Sequence, residues 1–153
     1  IAEIIMRTIP YPMLLIFKLE DKRQFYVAHQ RINQSDSSKN TIEEFIATEW
    51  LDSDSALFAK LDIKQMRFTN FYALYSDMVD VISIYNLSTI IPTDINITGA
   101  EAREIAAKVE ELEKQIASLK SQINKETQFN RKIELNIKIK KLSNKKNELI
   151  GGV

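Results

Sequence analysis

The sequence has no cysteine, one histidine, one tryptophan, three glycines and three prolines in 153 residues. Without cysteine there can be no disulfide framework, no thiolate nucleophile and no cysteine-ligated zinc. That usage fits a cytoplasmic protein, and the cytoplasm is the expected location. A lone histidine, His29, cannot head a familiar metal cluster. The glycines stand at Gly99, Gly151 and Gly152, so no glycine-rich loop exists to cradle a phosphate. Long apolar runs are also missing. The stretch 13–17 is among the longest and falls far short of the ~20 residues that a spanning helix requires, so no membrane is expected as a partner and no cofactor is called for. The first residue is Ile1 rather than an initiator methionine, and residues 1–8 read as the tail of an element that begins upstream.

What is present is an ordinary mixture, 44% apolar and 27% charged, far from disordered composition. The length suits one compact domain and an extension rather than two globular domains. Formal charge is zero overall but unevenly divided. Residues 1–100 carry 9 Lys+Arg against 13 Asp+Glu, a balance of −4, and residues 101–153 carry 12 against 8, a balance of +4. Positions 120–146 concentrate the positive side, with nine cations against Glu126 and Glu134.

The residue patterns predict an α+β chain. Residues 2–7 read as the last turns of a helix, stopped by Pro10 and Pro12. The run 13–17 suits a strand buried on both faces. A polar turn at 20–23 then leads into alternation over 24–31, so 13–19 and 24–31 form an antiparallel hairpin of unspecified turn type. A polar loop follows over 33–40. Residues 41–50 fit either a helix start or a third strand. The strand is favoured because a lone hairpin needs a further element to bury its face. From about Ile63 the period becomes helical: Phe71, Leu74, Tyr75, Met78, Val79 and Ile82 form the stripe expected to pack on the sheet.

The body thus covers residues 1–98, and an arm covers 99–150. Thr98 and Glu101 have capping-box spacing. Ile105, Val109, Leu112, Ile116, Leu119 and Ile123 then recur at four and three, as along a coiled-coil seam. Continued further, that seam meets mostly polar residues. A new seam, Leu135, Ile139, Leu142, Lys146 and Leu149, resumes in a shifted phase. The chain is therefore expected to reverse over 125–130 into a long C-terminal antiparallel helical hairpin, a coiled coil roughly 35 Å long. Strict alternation of Ile133, Leu135, Ile137 and Ile139 is also a strand signal, but the surrounding residues are helix formers. On a helix, Phe129, Ile133 and Ile137 then form a second apolar face, opposite the seam, which something else must cover.

The run Lys125-Glu126-Thr127-Gln128-Phe129-Asn130-Arg131-Lys132, with Ile9-Pro10-Tyr11 and Thr48-Glu49-Trp50-Leu51, resembles an uncharacterised bacterial family, the domain of unknown function 4391. The resemblance covers most of the chain and implies further helix and strand ahead of residue 1. It transfers no activity to particular residues. Members are often encoded beside restriction–modification methyltransferases and helicases, which implies an accessory role in defence against foreign DNA.

Three groups are candidates for chemistry. His29 is most simply a strand histidine at the sheet surface. Glu43, Glu44, Glu49, Asp52 and Asp54 form the densest acidic group. A magnesium-holding nuclease pair would also need a placed lysine and a strand-anchored aspartate, and a solvated strand end is the simpler reading. The arm offers more. Lys125, Arg131, Lys132, Lys138, Lys141 and Lys145 are the candidates for contact with a DNA backbone. Phe129 is the arm's only aromatic residue, so any such contact is to phosphates and without sequence preference. Against it stands the plainer reading of a solvated face. Phe129, Ile133 and Ile137 are the candidates for docking a protein: a helicase, a methyltransferase or a second copy. The expected function is therefore a non-catalytic interaction module. The alternative is a metal-dependent nuclease or other DNA-processing enzyme whose site is completed by upstream residues.

Overall fold

A computed structural model of the chain describes residues 1–9, 11–32, 40–91 and 96–151. It divides into two compact units, Ile1–Asn86 and Leu87–Val153. The first unit holds a short helix α1 (Ala2–Thr8) and a three-stranded antiparallel sheet of β1 (Leu15–Leu19), β2 (Lys22–Ile32) and β3 (Asn40–Ala47), in that spatial order. After the sheet come a one-turn helix α2 (Ala56–Lys60), a 3-10 turn (Ile63–Gln65) and the helix α3 (Phe71–Ile90), whose residues from Leu87 onward belong to the second unit.

The expected hairpin is present, with a tighter turn. Leu19 pairs with Lys22, so only Glu20 and Asp21 form the loop. Loops this short need positive φ to match the twist of the strands, and Glu20 supplies it at 53°. The run 13–17 does not behave as a doubly buried strand. It contributes to the edge strand β1, where Ile16 and Leu19 remain more than half exposed. Full burial belongs to the central β2, in Phe25, Val27 and Ala28.

The third strand carries a bulge. His29 pairs with Glu44 and Gln30 with Ile42, which leaves Glu43 as the extra residue of β3. A bulge of this kind turns a side chain out of the regular alternation. The Glu43 carboxylate accordingly reaches back to His29, Oε2 to Nδ1 at 3.0 Å. The polar loop expected over 33–40 lies, apart from Asn40, outside the described residues, as do Pro10, Pro92 and Gly152.

The core of the first unit joins the inner face of the sheet to α2 and α3 through Phe25, Val27, Ile46, Leu57, Val79 and Ile82. Phe25 and Phe58 meet edge to face at 5.6 Å, the arrangement that ring quadrupoles favour. On α1, Ala2 and Met6 are buried, and the Arg7 guanidinium stands 4.9 Å over the Phe45 ring. The apolar stripe of α3 is as expected from Leu74 to Ile82. Phe71 is the exception: it is the first residue of the helix, lies beyond the core, and is 90% exposed.

Polar groups fasten α3 to the strands. The Asn86 side chain donates to the Ala47 carbonyl at 2.9 Å, and the Ser55 and Tyr85 hydroxyls lie 3.0 Å apart. The most consequential of these groups is Tyr75. β1 starts at Leu15, opposite Tyr26, so the backbone of Ala28 has no partner from β1. The Tyr75 hydroxyl occupies that gap. It accepts from the Ala28 N–H at 2.8 Å and lies 3.0 Å from the Ala28 carbonyl and 3.2 Å from that of Met13. Burial pushes the Tyr75 phenol above its ordinary value, against the weaker pull of these backbone bonds.

In the second unit, α4 (Gly99–Lys125) and α5 (Phe129–Gly151) pack together as an antiparallel pair joined by residues 126–128, within the stretch where reversal is expected. At ~1.5 Å per residue the helices are about 40 and 35 Å long. Among the described residues, no helix is long and apolar enough to cross a membrane.

Candidate interaction surface

The arm begins with the capping box that Thr98 and Glu101 form. The Thr98 hydroxyl accepts from the Glu101 N–H at 3.2 Å, and the Glu101 carboxylate accepts from the Thr98 N–H at 2.8 Å. The backbone N–H and the hydroxyl of Thr98 hold the Glu101 carboxyl below its ordinary range. From this start the first seam faces inward, with Val109 and Leu112 buried and Ile105, Ile116, Leu119 and Ile123 half-buried.

The reversal is organised by one side chain. The Glu126 Oε1 accepts from the N–H groups of Thr127 and Gln128 at 2.8 and 2.9 Å, satisfying donors that precede α5. The N–H of Gln128 is the first cause of its lowered carboxyl pKa. Its other oxygen lies 3.9 Å from Arg131 Nε.

The second seam returns along α5 through Leu135, Ile139, Leu142 and Leu149, all half-buried. Lys146 occupies the remaining seam position. Its ammonium reaches Glu113 on α4 at 3.0 Å, which permits a lysine where an aliphatic residue is otherwise expected. Neither partner could be identified from sequence spacing, because 33 residues separate them.

The outward side of α5 differs. Phe129, Ile133 and Ile137, one turn apart, are 75%, 42% and 50% exposed. All three docking candidates thus share one solvent-facing strip. The cation candidates divide. Arg131, Lys138 and Lys145 are spaced by seven residues and stay within about 40° of one another at ~100° per residue, with Lys141 about 60° from Lys138. Lys125, at the end of α4, borders the same groove as Arg131 and Lys138, a cleft of about 430 Å³ that Gln122, Glu126 and Glu134 also line. Lys132 stands about 100° around α5 from Arg131 and belongs to the other flank. Toward the root of the hairpin a wider groove, about 790 Å³, has Leu112, Leu142 and Leu149 in its lining, together with Glu104, Glu111 and Glu148. Lys108 and Lys145 line it as well, so acidic and basic groups are interspersed along this flank.

Elsewhere, the acidic group of the body is dispersed. Glu43 engages His29, and Asp52 lies 3.6 Å from Lys22. Among the described residues, no three of His, Cys, Asp and Glu gather where they could hold a metal ion.

Comparison with curated proteins gives no match, and neither does comparison with solved structures. A protein-family profile matches residues 1–145, which span both the sheet and nearly all of the helical arm. The chain belongs to that family, described as a domain of unknown function (DUF4391).

Proposed function

We propose that this chain is a non-catalytic accessory module whose arm docks a protein partner through Phe129, Ile133 and Ile137. One observation carries the reading: α5 already spends one apolar face on α4, yet presents a second in the same half of the helix. Covering these partly exposed side chains contributes roughly 4 kcal/mol, at 1.5–3 kcal/mol for each fully buried one. That suffices for the centre of an interface. Three side chains are far fewer than the roughly 20–30 residues that each side of a stable complex contributes, so the partner must also engage the polar flanks. The partner class, a helicase or methyltransferase of a restriction–modification or other anti-phage system, follows from the setting that the family resemblance implies.

The test is co-purification of the complete protein with any helicase and methyltransferase found encoded beside it, in wild-type form and with Phe129, Ile133 and Ile137 all replaced by Ser. A complex with one of these enzymes that the triple variant loses, at unchanged circular dichroism, is the expected result. Wild-type protein that binds neither enzyme overturns the proposal. So does light scattering that shows the strip used only to pair two copies of the chain.

A further inference from the structure

We infer that the row Arg131, Lys138, Lys141 and Lys145, continued at the tip by Lys125, binds the phosphate backbone of a nucleic-acid duplex. This goes beyond the protein-docking reading and does not depend on it, because Arg131, Lys138 and Lys145 lie on a different side of α5 from the apolar strip, with Lys141 one turn beyond Ile137 at the border between them.

The first ground is which charges are already neutralised. Between Gly99 and Lys125, α4 carries five glutamates against five cations, a balance of zero. Lys108 and Lys114 lie 2.6 Å from Glu104 and Glu110, one turn back, the spacing at which helical pairs meet. Between Phe129 and Gly151, α5 carries seven cations against two glutamates, a balance of +5. Lys146 is taken by Glu113, and Arg131 has a distant partner in Glu126. Lys125, Lys138, Lys141 and Lys145 are exposed and make no ion pair among the described residues. Arg131, Lys138, Lys141 and Lys145 thus share one flank of α5, interspersed with Glu134 and Glu148, while Lys132 and Lys140 lie on other sides of the helix.

The second ground is geometry. Seven residues of helix advance about 10.5 Å, so Arg131 to Lys145 spans about 21 Å along one rigid rod. A duplex presents about one phosphate charge per 1.7 Å of axis, so several phosphates come within reach at once. A single strand fits less well. Its binders add aromatic platforms to the cations, whereas Phe129 lies on the opposite side of α5 from the row. An anionic membrane fits less well too: interfacial helices bury a continuous apolar face, and here the exposed apolar strip is three residues long and confined to the first turns of α5. The row carries no side chain suited to bidentate reading of adenine, and with four lysines to one arginine it favours phosphate contact over base recognition.

Fluorescence anisotropy of the complete protein, without any partner, tests this against short labelled DNA and RNA duplexes, which distinguish the two sources of the same backbone chemistry. With about four net phosphate contacts, affinity should fall ~10²-fold between about 50 and 200 mM salt. The variant K138E/K141E/K145E should bind at least ~30-fold more weakly at the lower salt and with a flatter salt slope. It leaves Arg131 in place because that residue adjoins the turn. K120Q, which removes an exposed cation of α4, serves as the control and should bind as wild type. An unchanged affinity in the triple variant overturns the inference, as does an equal loss in K120Q. Association with phosphatidylserine vesicles in the absence of duplex binding also overturns it. Loss of partner docking with duplex binding intact would remove only the preceding proposal.

Discussion

Replacing Tyr75 with phenylalanine deletes one oxygen atom and leaves the ring that fills the core. The hydroxyl accepts from the Ala28 N–H at 2.8 Å and has two carbonyls, of Ala28 and Met13, within 3.0 and 3.2 Å. Since the phenol has one proton, the loss amounts to one accepted and one donated hydrogen bond. Ala28 is fully buried, so water does not readily replace the acceptor. An unsatisfied buried donor costs about 1–3 kcal/mol, and the abandoned carbonyl adds less because carbonyls tolerate neglect better. The expected destabilisation is about 2 kcal/mol, and a domain of this size should melt about 8–16 °C lower. Urea unfolding followed by fluorescence measures it, because Trp50, the only tryptophan, lies in the same unit as Tyr75. A second readout is pH. The folded phenol is raised above its ordinary 10.0, so the native state keeps a proton that the unfolded chain releases. Its contribution is fully present below about pH 10 and is lost as pH rises through the folded value. The wild-type protein should therefore lose stability in alkali more steeply than Tyr75→Phe. A change below about 0.5 kcal/mol together with identical alkaline profiles would refute the assignment of this hydroxyl as the bridge that completes the sheet.

Two further outcomes are expected. Glu20→Gly should stabilise the first unit by up to about 1 kcal/mol, because a φ of 53° strains any residue with a Cβ; a lower melting temperature would mean that the Glu20 side chain contributes more than its backbone costs. Exchanging Leu112 and Leu119 for Asp should abolish amide protection along α4 and α5 while β2 stays protected, since both residues lie on the seam between the helices. Hydrogen exchange decides this, and unchanged protection of α5 would mean that the seam does not hold the pair together.

The elements were legible wherever one period ran undisturbed. Seam spacing gave α4, the phase shift gave α5, and Thr98 with Glu101 marked where the arm starts, because these signals lie within a few residues of chain. β3 was ambiguous for a specific reason. With Glu43 bulged out, Ile42 and Phe45 fall on one face and Ile46 on the other, so the apolar spacing of three and four imitates a helix. Phe71 was misplaced because periodicity says which side of a helix is apolar but not where along its axis the sheet ends. The gap that Tyr75 fills depends on where β1 stops pairing, a property of two strands and a helix jointly, and no local pattern encodes it.

The arm's surface was legible in a different sense. Composition showed nine cations against two carboxylates over 27 residues, but a count of charge is not a field. Lys146 counted toward that excess, yet it faces Glu113 from a segment of different composition. Lys132 counted equally with Arg131, its neighbour in sequence, although one residue of helix rotates the side chain by ~100° and puts the two on different flanks. Angular position and long-range pairing act together as a filter: on α5 they set aside Lys146, Lys132 and also Lys140, which stands only ~20° around the helix from Phe129, and leave Arg131, Lys138, Lys141 and Lys145 on the flank away from Phe129. A binding surface differs from a merely solvated face in that its charges share a direction and have no partners within the fold. The row from Arg131 to Lys145 approaches that condition along α5, whereas the stretch of α4 from Glu104 to Lys114, with Lys108 and Lys114 matched to glutamates one turn away, does not.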